Sequence, residues 1–148
     1  MQRRFLAAAA AALSLGATGS ALVGTAGASG NGARVIAHSS KYGRVLFTGQ
    51  NRSIYLFARD HGKSTCYGAC AKAWPPVLTK GKPVAGAGVK ASLLGTVRRK
   101  DGSKQVTYAG HPLYRFVKDT KAFQITCQNV SNFGAKWLVV TPAGKAVR

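Results

Sequence analysis

The hexad Tyr55-Leu56-Phe57-Ala58-Arg59-Asp60 returns fifty-nine residues later as Tyr114-Arg115-Phe116-Val117-Lys118-Asp119. Both copies read Tyr-x-Phe-x-x-Asp with a basic residue before the acid. The chain holds only three acidic residues, and two of them, Asp60 and Asp119, close these hexads. An internal repeat constrains architecture more than any local pattern, because each copy must bury its apolar face against something.

The similarity extends beyond the hexads. Val45-Leu46-Phe47-Thr48-Gly49 aligns with Val106-Thr107-Tyr108-Ala109-Gly110. After the acids, Cys66 and Ala71-Lys72-Ala73-Trp74 answer Cys127 and Gly134-Ala135-Lys136-Trp137. Repeat solenoids usually need three or more units to bury a continuous core. Two units therefore predict a pseudo-twofold β-domain closed on itself.

The elements between these landmarks read as short strands bounded by turn residues. Val35–Ala37, Arg44–Thr48 and Ser53–Ala58 form the first set. Gly95–Arg99, Lys104–Tyr108 and Pro112–Val117 form the second, with Asp101-Gly102 and Ala109-Gly110 as turns. Trp137–Thr141 and Lys145–Val147 read as a terminal hairpin. Pro75 and Pro76 argue against a central strand in that region. Lys90–Leu94 reads as one helical turn, and no amphipathic helix of useful length is present. The expected fold is all-β, a small antiparallel sandwich or barrel-like domain made from two β-meander repeats. Repeat one covers about 34–78, a linker loop 79–94, and repeat two about 95–148.

Met1-Gln2-Arg3-Arg4 followed by the Ala/Leu-rich run Phe5–Leu15 and the small-x-small site Ala26-Gly27-Ala28 predicts a secretory signal peptide over 1–28. Residues 29–33 then read as a flexible leader. The apolar run is too short and Gly-interrupted for a spanning helix, and no transmembrane segment is expected after cleavage. The location predicted is extracytoplasmic: secreted, or retained at the cell envelope by charge.

Charge is the second constraint. Twenty-two Lys and Arg against three Asp give +19 with His neutral, and losing Arg3 and Arg4 leaves +17. Outside the cytoplasm such a surface meets anionic envelope polymers and lipid headgroups, with nucleic acid bound at most in a sequence-blind way. Arg98-Arg99-Lys100 is the one run of cations and reads as an exposed loop before the Asp101-Gly102 turn.

Taken together, the paired Tyr-x-Phe-x-x-Asp, Cys66-x-x-x-Cys70, Trp74-Pro75-Pro76, Leu93-Leu94-Gly95-Thr96-Val97, Asp101-Gly102, Gln105-Val106-Thr107-Tyr108 and Gly110-His111-Pro112-Leu113-Tyr114 resemble a bacterial secreted-repeat family. Its members are described as predicted lipoproteins with a Yx(F/W/Y)xxD motif, of unknown function. The resemblance spans about Gly43 to Gly144. It implies an exported protein and, for some relatives, a loose link to alkane catabolism. No lipobox Cys stands near the cleavage site here, so lipid attachment at that point is not expected.

Three Cys allow three single pairings, and a disulfide suits an exported chain. The resemblance places Cys66 and Cys70 together and leaves Cys127 as the extra one. Cys127 is then a buried free thiol, the bridge of a disulfide-linked dimer, or a metal ligand. With His61 and His111 it would make a composite redox or metal site. No zinc-type His/Cys spacing occurs, and no nucleotide or nucleophile-elbow motif is present, so no cofactor is expected.

Asp60 and Asp119 read first as acids that fix the turns after their strands. The sharper reading brings them together as a cation site or an acid–base pair. In the second hexad Leu113, Arg115 and Val117 share one face while Tyr114 and Phe116 share the other. With Tyr55, Phe57, Trp74 and Trp137 they would build one symmetric aromatic core, or else a ligand-stacking platform. The function expected from these residues is non-catalytic: a basic, envelope-associated binding or structural module.

Overall fold

The computed structural model describes residues 30–148, so the signal peptide expected over 1–28 lies outside the described residues. Nine strands are arranged in two sheets among these residues. In repeat one, β1 (Arg34–Ser40) and β2 (Gly43–Thr48) form a hairpin, followed by β3 (Tyr55–Phe57). The helical turn α1 (Ala69–Ala73) and the two-residue β4 (Val84–Ala85) come next. Repeat two runs β5 (Leu94–Arg98), β6 (Lys104–Tyr108), β7 (His111–Tyr114), β8 (Val130–Asn132) and β9 (Ala135–Val139). The larger sheet has the order β5-β6-β7-β3-β9-β8 and the smaller β2-β1-β4. This is a sandwich-like all-β fold.

Turn chemistry sets the hairpins. Tyr108 pairs with His111 across Ala109-Gly110, both at positive φ (49° and 80°), the backbone twist a two-residue hairpin requires. Pairing is antiparallel throughout except for β1 with β4, which is parallel. Asn31 and Ala33 of the leader are not free. Ala33 N–H donates to Thr79 Oγ1 at 2.9 Å, and Gly81 N–H to the Asn31 carbonyl at 3.2 Å. The linker carries β4 and a 3-10 turn at Ala91–Leu93.

The hexads sit side by side at the centre of the larger sheet. β3 pairs antiparallel with β7, Tyr55 opposite Tyr114 and Leu56 opposite Leu113. A pseudo-twofold axis therefore passes through the Tyr55–Tyr114 pair. β3 covers only the first half of its hexad, and β7 ends on Tyr114, the first residue of the second, so Phe116 falls just beyond it.

Each repeat lends a strand to the other. β9 and Val140 of repeat two lie against β3 and Leu46 of repeat one, with Leu46 N–H donating to the Val140 carbonyl at 2.9 Å. Reciprocally, Pro75–Thr79 of repeat one enters the hairpin of repeat two. Arg115 N–H donates to the Pro75 carbonyl (2.8 Å), Val77 N–H to the Leu113 carbonyl (2.9 Å), and Val106 N–H to the Val77 carbonyl (2.8 Å). No strand forms over Pro75–Thr79, in line with the two prolines, and the segment meets its neighbours through isolated bridges at Pro76 and Leu78. Pro75 supplies a carbonyl to its neighbour, and Val77 and Thr79 supply the N–H groups, so the missing donors are never called on.

These contacts also correct the repeat alignment by one residue. Leu46 is equivalent to Val106, each bonded to the incoming valine of the other copy, and Thr48 is equivalent to Tyr108. Arg34 matches Leu93: Gly49 N–H bonds the Arg34 carbonyl as Ala109 N–H bonds that of Leu93 (2.8 and 2.9 Å). The aliphatic core holds Leu46, Leu56, Val77, Val106, Leu113, Leu138 and Val140, and the aromatic core lies on the opposite face of the hexads.

Candidate functional site

The aromatic core is built from the hexads and the two tryptophans. Phe57, Trp137, Trp74 and Phe116 form one column of rings. The indoles stack 3.9 Å apart at 4°, Phe57 lies 4.2 Å from Trp137, and Phe116 lies 4.5 Å from Trp74. Tyr55 meets Trp74 edge-on at 5.2 Å, and Tyr114 meets Trp137 in the same way at 5.2 Å. Both indoles, both tyrosines and Phe57 are buried and Phe116 is half-buried, so these rings are packed interior first. Trp137 Nε1 donates to the Asn132 carbonyl at 3.0 Å. In repeat one α1 stands where repeat two has the β8–β9 hairpin, and Trp74 Nε1 has no partner among the described residues.

The acids of the hexads are exchanged between copies. Tyr114 donates its hydroxyl to Asp60 Oδ2 (2.6 Å), and Tyr55 donates to Asp119 Oδ2 (2.5 Å). The other oxygen of each acid holds the loop that follows. Asp60 Oδ1 accepts from Thr65 N–H (2.8 Å) and Thr65 Oγ1 (2.6 Å). Asp119 Oδ1 accepts from Thr126 N–H (3.2 Å) and Thr126 Oγ1 (2.5 Å). Both carboxylates are 4% exposed, a position tolerable because each accepts three hydrogen bonds. Among the described residues no Lys or Arg donates to either acid, and the two share no hydrogen-bond donor. Burial, and then the neighbouring carboxylate, push the Tyr114 phenol up to about 12 and the Tyr55 phenol further still.

Cys66 and Cys70 form the disulfide, Cα atoms 5.3 Å apart, across the start of α1. Thr65-Cys66 is equivalent to Thr126-Cys127, so Cys127 occupies the position of a bridged cysteine without a second thiol. It is free and half-buried, and burial raises its thiol pKa. Its backbone N–H points at the Tyr55 hydroxyl (3.4 Å).

His61 and His111 do come together. They line one recess of about 220 Å³ with Phe57, Ala58, Asp60 and Leu138. Cys127 is not part of it, and no group of three or more His, Cys, Asp or Glu suited to a metal ion occurs among the described residues. The composite Cys127–His61–His111 site is therefore not assembled, because Cys127 belongs to the Asp119 loop and both histidines to the Asp60 end of the axis. A second recess of about 220 Å³ is lined by Phe116, Val117, Asp119, Thr120, Arg52 and Pro75. It is the pseudo-twofold image of the first, with Arg52 in place of His111 and Thr120 in place of His61, except that Ala146 and Arg148 line the first alone.

Arg99 departs from the exposed-loop expectation. It is 5% exposed, lies over the Tyr67 ring at 4.3 Å, and donates to Gln105 Oε1 (2.7 Å) and the Cys66 carbonyl (2.8 Å). Gln105 in turn accepts from Ser64 Oγ (2.5 Å) and donates to the Leu113 carbonyl (2.7 Å). This network ties the disulfide loop of repeat one to β6 and β7 of repeat two. An isolated Gln between strand residues was its only trace in the sequence.

A two-copy β-domain whose halves exchange strands, and whose motif residues form the seam between them, is a repeat protein with its motif in the interior. The chain belongs to a family described as a secreted repeat of unknown function, whose pattern matches residues 37–78 and 95–141. No curated protein and no solved structure matches the chain.

Proposed function

We propose that this protein is a non-catalytic, exported module that binds anionic polymers or lipid headgroups of the cell envelope through its positive surface. One observation carries the reading. Of three acids in a chain of formal charge +19, Asp60 and Asp119 are buried and committed to hydrogen bonds, and only Asp101 is exposed. The surface thus presents cations almost without counter-charge, which favours polyanion binding over self-association and makes binding salt-dependent.

The test is co-sedimentation of the purified protein with isolated envelope across a salt series. Binding is expected at low salt, with loss above a few hundred millimolar as the Debye length falls toward ~3 Å. No binding at low salt would overturn the proposal.

A further inference from the structure

We infer that the trough along Arg34, Arg52, Lys80 and Arg115 is a binding groove for a linear, phosphate-bearing polymer without bases. The inference rests on the proposed polyanion binding and assigns it to one place. The trough has a volume of about 560 Å³ and is lined by Arg34, Thr48, Val77, Thr79, Lys80 and Arg115 among others. It shares Arg115 with the Arg52 recess, and Leu78, Thr79 and Lys80 with a further depression that reaches Lys104. The three make one continuous surface channel with cations along its length.

These cations are uncommitted. Arg44, Arg98, Arg99 and Lys136 spend donors on carbonyl or amide oxygens. Among the described residues, no hydrogen bond engages the side chain of Arg34, Arg52, Lys80 or Arg115. Asp119 borders the channel beside Arg52 and Arg115, but its oxygens are held by Tyr55 and Thr126.

The pseudo-twofold axis supplies an internal control. At the equivalent positions repeat two has Leu93 for Arg34, Tyr108 for Thr48 and His111 for Arg52, while repeat one has Leu56 for Arg115. There the Tyr108 ring is fully buried and its hydroxyl donates to the Pro142 carbonyl at 2.6 Å, Pro142 being the counterpart of Thr79. The same scaffold thus fills the trough with Leu93 and Tyr108 in one half, leaving only the recess at His111 and Arg148, and opens it beside three arginines in the other. Grouping like charges is unfavourable until an anion binds, so folding alone does not account for the difference.

Guanidinium forks match phosphate oxygens two at a time, and an open channel admits a chain rather than enclosing a small ligand. No aromatic ring lines the trough. Phe116, half-buried in the adjoining recess, is packed against Trp74 at 37°. A base-stacking platform of the kind single-stranded nucleic acids use is missing, which favours a sugar-phosphate, polyol-phosphate or polyphosphate backbone.

The experiment measures binding of inorganic polyphosphate and poly(glycerol phosphate) to the full protein, against oligo(dT) and polygalacturonate. The variants are R34Q/R115Q, a control of equal charge loss away from the channel (K63Q/K145Q), and T48Y, which fills the trough without changing charge. For R34Q/R115Q, affinity for both phosphate polymers should fall at least about tenfold, and the log–log salt slope by about 1.4, two contacts at about 0.7 each. The control should stay within about twofold, and folded T48Y should bind as weakly as R34Q/R115Q. Equal losses in R34Q/R115Q and the control would overturn the groove while leaving diffuse charge-driven binding intact, as would wild-type affinity in folded T48Y. Tighter binding of oligo(dT) or polygalacturonate than of the phosphate polymers would overturn the ligand assignment. Failure of the wild type to bind any polyanion or envelope would remove the broader proposal as well.

Discussion

The hydroxyl of Tyr114 lies 2.6 Å from Oδ2 of Asp60, an acid that belongs to the other repeat. Its mirror, Tyr55 with Asp119, crosses the axis in the opposite direction. The repeated motif is therefore a pair of clasps between halves, each Asp binding the partner copy's Tyr with one oxygen and its own loop with the other.

Removing either hydroxyl leaves a buried carboxylate one donor short. Tyr114→Phe and Tyr55→Phe should each cost about 1.5–3 kcal/mol, the range for hydrogen bonds to charged groups. Urea unfolding followed by tryptophan fluorescence checks this. Because Tyr55 and Tyr114 are direct cross-strand neighbours, the double variant should deviate from additivity, as residues in contact do.

Alkaline stability follows from the same pairs. Both phenols have folded-state pKa values above the unfolded value of about 10, that of Tyr114 at about 12. The folded state retains these protons when the unfolded state has released them. The stabilisation is complete below pH 10 and declines as pH rises from 10 through 12. Absorbance titration of phenolate should show Tyr114 and Tyr55 ionising last or with unfolding, and Tyr114→Phe should flatten the decline.

The cysteines should separate cleanly by reactivity. In native protein only Cys127 titrates with a thiol reagent. Its raised pKa leaves less thiolate, so alkylation at pH 8 should be slower than for an exposed model thiol and should rise to the model rate on unfolding. Reducing the Cys66–Cys70 bridge should cost about 2 kcal/mol by the loop-entropy relation for so short a loop, measured as a shift in urea midpoint.

The tryptophan stack is the third expected weak point. Trp74→Ala or Trp137→Ala deletes the centre of a four-ring column and should cost about 3–5 kcal/mol. The near-UV circular dichroism of the stacked indoles should disappear with it. Trp74→Phe should be milder than Trp137→Phe, since only Trp137 donates a hydrogen bond.

Much of the architecture was legible in the chain. The doubled hexad announced two copies, and Gly and Asn at turns with strand formers between them announced β-hairpins. The near absence of acids announced a cationic surface. Pro75-Pro76 announced a break in strand structure but not the segment's entry into the hairpin of repeat two, because proline reports a missing donor and not whether the position needs one. Arg99 was misread for a related reason. A cation in a basic run looks solvated until Tyr67, Gln105 and the Cys66 carbonyl, distant in sequence, gather around it.

Two hexads of one pattern state that Tyr and Asp belong together but not which Tyr takes which Asp. The sequence by itself determined the repeat, its strands and its charge, since these depend on local pattern and composition. The tertiary structure alone decided the exchange of clasps and strands and the opening of one half at Thr48 where Tyr108 closes the other. The physical reason is the antiparallel pairing of β3 with β7, which lays each hexad beside its copy and makes the partner's acid the one within reach.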